Sequence, residues 1–244
     1  VARWLVEGAS GTQPFFIACG IQKPHVPFLA PEKYFDLYPK NEIPLTENRP
    51  GLWKSIPEQA LSKRYSAFGF EAARENPDLR REYIQAYHAC ISFVDAQIKL
   101  IFDALRESGH WDDTVVIFTS DHGYHLGEHY QWGKVTLFDI GTRVPFMVRV
   151  PGMTKPGTYS EAMVELVDIF PTLVDLCGFE PPEDTQGMSI RPLLGHPDRL
   201  GKKKYAYTVV RRGQKLGYAI RSQRWRYSQW PQGEELYNLS LIHI

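Results

Sequence analysis

Residues 114–134 read TVVIFTSDHGYHLGEHYQWGK. The first six are β-branched or aromatic without interruption, the pattern of a strand buried on both faces, and the run stops at Ser120. Asp121, His122, His125, Glu128 and His129 follow within nine positions. Open α/β sheets bind ligands beyond the carboxyl ends of their parallel strands, because loops and helix N-termini converge there. Position therefore favours function for Asp121 and His122, which can ligate one cation together or orient one another. A strand-end Asp that caps a helix beside a surface His is an equally compatible reading.

His125, Glu128 and His129 form an H-x-x-E-H spacing, which on a helix puts two zinc ligands and a general base on one face. Gly127 inside that helix costs ~1 kcal/mol relative to Ala, and no third ligand stands out downstream. A polar cleft wall is the better reading of these histidines, and a zinc peptidase the lesser one. Lys134 comes thirteen residues after Asp121 in the same loop. A cation beside a metal suits an anionic substrate, although a lysine in a long loop is more often a solvated charge.

Upstream, Tyr83, Tyr87, Ile91, Val94, Ile98, Ile101 and Leu105 recur at spacings of three and four, predicting an amphipathic helix over 78–108 that Gly109 stops. Before it, residues 23–57 hold seven prolines, an irregular wall with one short helix at PEKYFDLY. The run Phe15–Cys19 reads as another strand of a parallel sheet. The loop after it carries Lys23 and His25 around Pro24. Two strand-end loops, each bringing a His and a Lys, outline one basic cleft suited to a phosphate or sulfate ester.

Downstream, RVPFMVRVPG is a further strand, and SEAMVELVDIFPTLVDLCG has helical spacing with Pro171 kinking or restarting it. This order implies an α/β sheet with covering helices. Near residue 196 the pattern changes to short strands alternating apolar and basic residues, with turns at RRGQK and RSQRW, a small antiparallel sheet. The expected organisation is a partial catalytic domain over 1–195 and a C-terminal subdomain over 196–244.

Lys plus Arg and Asp plus Glu stand at 28 each in the 244 residues, so the formal charge is zero. That balance argues against a nucleic-acid or membrane-surface protein, and no apolar run reaches the ~18–20 residues of a membrane span. Cys19, Cys90 and Cys177 are few, odd in number and far apart. They read as buried small apolar residues rather than a disulfide framework.

The words FFIACGIQKPHVPF, YIQAYHACISFVDAQIKLIFDAL, TVVIFTSDHGYHLGEHYQWGKVTLFDIGTRVPFMVRVPG, VELVDIFPTLVDLCG and GEELYN resemble the type I sulfatases of the alkaline phosphatase superfamily, nearest the iduronate-2-sulfatase branch. The resemblance implies hydrolysis of a sulfate ester, a glycan sulfate being the substrate class of that branch, with calcium (Ca2+) holding the sulfate. It makes Asp121 and His122 calcium ligands, Lys134 the cation at the leaving oxygen and His25 a second contact to the sulfate. Tyr124 and Lys23 become substrate-pocket residues. It also implies an exported protein. None of the three cysteines fits the C-x-P/A-x-R motif from which the family makes its formylglycine nucleophile, and the family's early paired aspartates are missing. The expectation is an internal fragment lacking the N-terminal part, ending in a foreign-looking LSLIHI, and inactive by itself. A phosphoryl-ester or phosphonate hydrolase of the same superfamily is the alternative, and a non-enzymatic module for acidic glycans a further one.

Overall fold

The computed structural model describes residues 1–9, 13–48, 50–61 and 76–241; Ile242–Ile244, the end of the LSLIHI tail, lie outside them. Two units alternate along the chain: the first comprises residues 1–50, 65–114 and 125–133, the second 51–64, 115–124 and 134–244.

The first unit is mainly helical. It holds α1 (Ala2–Gly8), the short α2 (Glu32–Phe35) and the long α3 (Pro77–Glu107). The helix predicted over 78–108 thus forms with the expected ends. Asn76 caps it, its Oδ1 accepting from the backbone N–H groups of Asp78 at 3.0 Å and Leu79 at 3.1 Å, and Pro77 occupies the first turn, where no N–H is needed. Gly109 stops it at φ +81°, a left-handed conformation that glycine adopts without steric cost. The buried line runs through Ile84, Ala89, Cys90, Ala104 and Leu105. Ile91, assigned to the apolar stripe by its spacing, is exposed. Ile84 packs with Ile43 and Trp132 to form this unit's core, flanked by Tyr38, Tyr83 and Leu126.

The expected strand at Phe15–Cys19 does not form: the segment is irregular and Phe16 is 80% exposed. A strand survives only by pairing its backbone groups, and no described segment pairs with this one. Cys19 and Cys177 are exposed and only Cys90 is buried, so the burial expected from residue type holds for one cysteine of the three.

In the second unit β1 (Val116–Thr119) forms where TVVIFT predicts it. A two-residue hairpin of β2 (His125–Leu126) and β3 (Trp132–Gly133) belongs to the first unit, and α4 (Asp139–Thr142) and β4 (Phe146–Arg149) follow in the second. β1 pairs with β4 antiparallel, Val116 opposite Arg149 and Thr119 opposite Phe146. The parallel pairing expected from the unalternating run is therefore corrected: burial on both faces marks coverage of a strand, not its direction. Then come α5 (Ile169–Leu176) and α6 (Arg191–Gly195). Pro171 lies in the first turn of α5, so it restarts the helix after a 3-10 turn at Leu166–Asp168.

The C-terminal sheet is antiparallel, in the order β5 (Ala206–Arg212), β6 (Lys215–Arg221), β7 (Trp225–Trp230) and β8 (Gly233–Asn238). Its turns fall at Gly213–Gln214 and Ser222–Arg224, where RRGQK and RSQRW predict them. One face buries Val210, Ala219 and Trp230 against Ile56, Ala60, Leu137 and Phe138. Gly217 is obligatory there, because a Cβ would sit 2.4 Å from the Trp230 ring. Among the described residues no helix is long and apolar enough to cross a membrane.

Candidate functional site

Asp121 lies two residues past the end of β1, with its side chain 84% exposed. Its Oδ1 accepts the His122 backbone N–H at 3.0 Å. The Ser120 hydroxyl donates to the His122 carbonyl at 3.0 Å. These bonds make a tight polar turn, and Gly123 presses it onto α4. The Gly123 N–H donates to the Gly141 carbonyl at 3.0 Å, and a Cβ at Gly123 would stand 1.9 Å from the Ile140 carbonyl oxygen. The glycine of SDHG is thus required by close backbone approach.

His122 is one-third exposed, and its Nε2 lies 3.5 Å from Asp121 Oδ2. Its Nδ1 is 2.9 Å from the Gly123 carbonyl. When Nδ1–H donates to that carbonyl, Nε2 keeps its lone pair and faces a carboxylate oxygen that also carries lone pairs. Two acceptors turned toward each other at this distance want a proton or a cation between them. The pair fits two positions of a divalent site, one hard oxygen and one imidazole nitrogen. Calcium takes six to eight ligands, mostly oxygen, so this donor set is a minority of the shell. Among the described residues no group of three or more His, Cys, Asp or Glu side chains gathers as a metal cluster.

Tyr124 follows in the same unit, partly buried, and Lys134 is partly buried directly after β3. The backbone around Lys134 is strained. His129, Tyr130 and Val135 have φ of 54°, 58° and 65°, and a β-branched residue enters that region only under constraint. Lys23 and His25 belong to the first unit. Lys23 Nζ donates to the carbonyls of Pro27 and, at 3.4 Å, of His25. The exposed His25 ring has Nδ1 2.8 Å from the Val26 carbonyl.

The other two histidines of the opening stretch are not arranged as an H-x-x-E-H helix. Residues 125–129 run through β2, Gly127 and a 3-10 turn. His125 is 0% exposed, its Nδ1 3.1 Å from the Glu128 carbonyl. Burial holds His129 below the ordinary imidazole value. The Glu128 carboxylate accepts the Leu126 N–H at 2.6 Å, so it closes the hairpin. These side chains build the loop's core.

Residues that the sequence did not single out stand behind Lys134. Asp139, at the start of α4, meets Arg221 Nε at 2.6 Å and Arg226 Nη1 at 3.6 Å. Desolvation pulls the buried Arg226 down to about 10, which leaves it charged at neutral pH. The period-2 alternation of WRYSQW already puts Arg226 on one face with Ser228 and Trp230. Nothing in the alternation says that this face is the buried one.

The profile of a family described as Sulfatase matches residues 1–179, and one described as N-sulphoglucosamine sulphohydrolase, C-terminal, matches residues 127–241. A sulfatase of Formosa agariphila is 33% identical over 97% of this chain and 46% of its own length. The iduronate 2-sulfatase of Mus musculus is 29% identical over 99% of this chain and 56% of its own. The chain thus spans about half the length of these relatives. The solved phosphonate monoester hydrolase of Agrobacterium radiobacter superposes with a TM-score of 0.84 at 28% identity, covering 98% of this chain and 52% of that one.

Proposed function

We propose, from the premise that this chain belongs to the sulfatase family, that the whole protein hydrolyses a sulfate ester to an alcohol and inorganic sulfate. The observation that carries the reading is the Asp121–His122 pair, a carboxylate oxygen and an imidazole nitrogen 3.5 Å apart at the end of a strand. Asp121 and His122 would hold a calcium ion. Bound there, calcium neutralises charge on the sulfate oxygens as a Lewis acid. The nucleophile, a formylglycine by resemblance, belongs to sequence outside this chain.

The chain's own residues then have separate tasks. Lys134 carries a fixed positive charge that offsets the negative charge developing on the leaving oxygen, a form of catalysis that depends on placement before reaction. His25 contacts the sulfate. Its Nδ1 lies 2.8 Å from the Val26 carbonyl, which leaves Nε2 as the ring nitrogen for that contact. Tyr124 and Lys23, each within its own unit, are substrate-binding residues by the resemblance. The substrate class we infer is a sulfated sugar, in keeping with relatives named iduronate 2-sulfatase and N-acetylglucosamine-6-O-sulfatase.

The test is turnover of an aryl sulfate by the full-length protein, with and without a calcium chelator, for wild type and Asp121→Asn. Turnover should require calcium and collapse in the variant. Undiminished turnover in both cases would sink the reading. The likeness to a phosphonate monoester hydrolase favours a second reading, in which the same site takes a phosphonate ester. Comparing kcat/KM for an aryl sulfate and an aryl phosphonate monoester decides between them; a higher value for the phosphonate selects the second.

A further inference from the structure

The basic strands of the C-terminal sheet look from sequence like a solvated face or a grip on an acidic chain. Three of their arginines do something else. Arg212, the last residue of β5, donates from Nη2 to the Val135 carbonyl at 2.7 Å and to the Ala60 carbonyl at 3.2 Å. Its Nη1 donates to the Gln59 carbonyl, and its guanidinium lies 4.9 Å from the centre of the Trp230 ring. Arg226, 2% exposed, donates from Nε to the Leu137 carbonyl. Arg221 grips Asp139 through Nε at 2.6 Å. Residues 135, 137 and 139, alternate positions immediately after Lys134, are thus each held by a guanidinium.

Two further features show what this holding does. Val135 adopts φ +65°, a conformation that costs roughly 1–3 kcal/mol and persists only where surrounding contacts over-determine it. Arg212 bonds the carbonyl of that residue. Asp139 opens α4, and the Gly141 carbonyl in α4 accepts the Gly123 N–H of the Asp121–His122 turn. One short segment therefore joins the lysine to the turn that presents the two acceptors.

We propose that Arg212 and Arg226 are positioning residues for Lys134: the C-terminal sheet acts as a jig that sets the lysine's backbone relative to the Asp121–His122 turn. A guanidinium suits this task because its rigid fork serves several carbonyls at once and stays charged when buried. The inference rests on the role proposed above for Lys134.

A double-mutant cycle in the full-length protein tests it, using Arg212→Gln, Lys134→Ala and both together against an aryl sulfate. Arg212→Gln should lower kcat by about 10- to 100-fold, the cost of a roughly 1 Å misplacement. In the Lys134→Ala background it should cost under about threefold, because the group it positions is gone. If Arg212→Gln does not fold, Arg212→Lys, which keeps the charge and loses the fork, carries the same cycle. Arg226→Lys should behave as Arg212→Gln does. An equal loss in both backgrounds, or an Arg212→Gln kcat at the wild-type value, overturns the inference and leaves the role of Lys134 standing. An unchanged kcat in Lys134→Ala removes that role and the inference with it.

Discussion

Within nine residues the chain places two kinds of histidine. His122 stands at the surface beside an exposed Asp121, its Nε2 facing a carboxylate oxygen. His125, three residues on, is sealed from solvent with its Nδ1 against a backbone carbonyl. The residue type is the same and the local sequence is equally rich in ligand types. The difference lies in whether acceptor atoms are left open to solvent or absorbed by the chain's own backbone. A dense run of ligand-type side chains therefore contains some that stay open and some that the fold absorbs, and density alone does not sort them.

The sharpest test of that division is substitution at the open end. Asp121→Asn should reduce sulfate-ester turnover by about 10³-fold, the scale of losing a preorganised charge contact. Stability by urea titration should stay within about 0.5 kcal/mol, because the side chain is on the surface. The converse applies at the closed end. His125→Ala should cost about 2–4 kcal/mol of stability through a lost buried ring and the cavity it leaves, with turnover per folded molecule nearly kept. A stable His125→Ala protein without turnover would erase the distinction between the two histidines.

Gly123 links the two ends, and Gly123→Ala should cost about 1–3 kcal/mol by overpacking against the Ile140 carbonyl while also reducing turnover. The smallest effect is acid sensitivity. Burial holds His129, and likewise His88, below the ordinary imidazole value. The unfolded chain takes up these protons near pH 6.5, the folded protein only lower. Between those limits the unfolded state binds more protons, so stability falls as pH drops below about 6.5 and levels off below the folded values. The slope cannot exceed about 1.4 kcal/mol per pH unit per group. His129→Gln should flatten it, leaving the part due to His88, in urea midpoints measured from pH 6.5 to 5, below the range in which His110, raised by its bond to Asp113, changes stability.

Several elements were legible because their signal is local. The helix over 77–107 follows from its apolar spacing, Asn76–Pro77 and Gly109; the C-terminal hairpins follow from alternation broken by turn residues. TVVIFT forms a strand where expected, and SDHG stands at its end. Other readings needed contacts from far along the chain. FFIAC has strand composition and no strand partner among the described residues. β1 looks like a strand of a parallel sheet and pairs antiparallel with β4. Cys19 and Cys177 are apolar by type and exposed by circumstance. The arginines of the C-terminal sheet look like surface charges, yet Arg226 is among the most buried side chains of the protein.

By itself, the sequence determined the long helix, β1, the C-terminal strands and their turns, and which short stretch is dense in ligand-type side chains, because capping, spacing and turn residues act over a few positions. The tertiary structure decided strand direction, which of the five neighbouring polar side chains of residues 121–129 stay open, and that Arg212 and Arg226 hold the backbone after Lys134. Those outcomes depend on which distant carbonyl or carboxylate meets each donor, and that meeting exists only once the chain has folded.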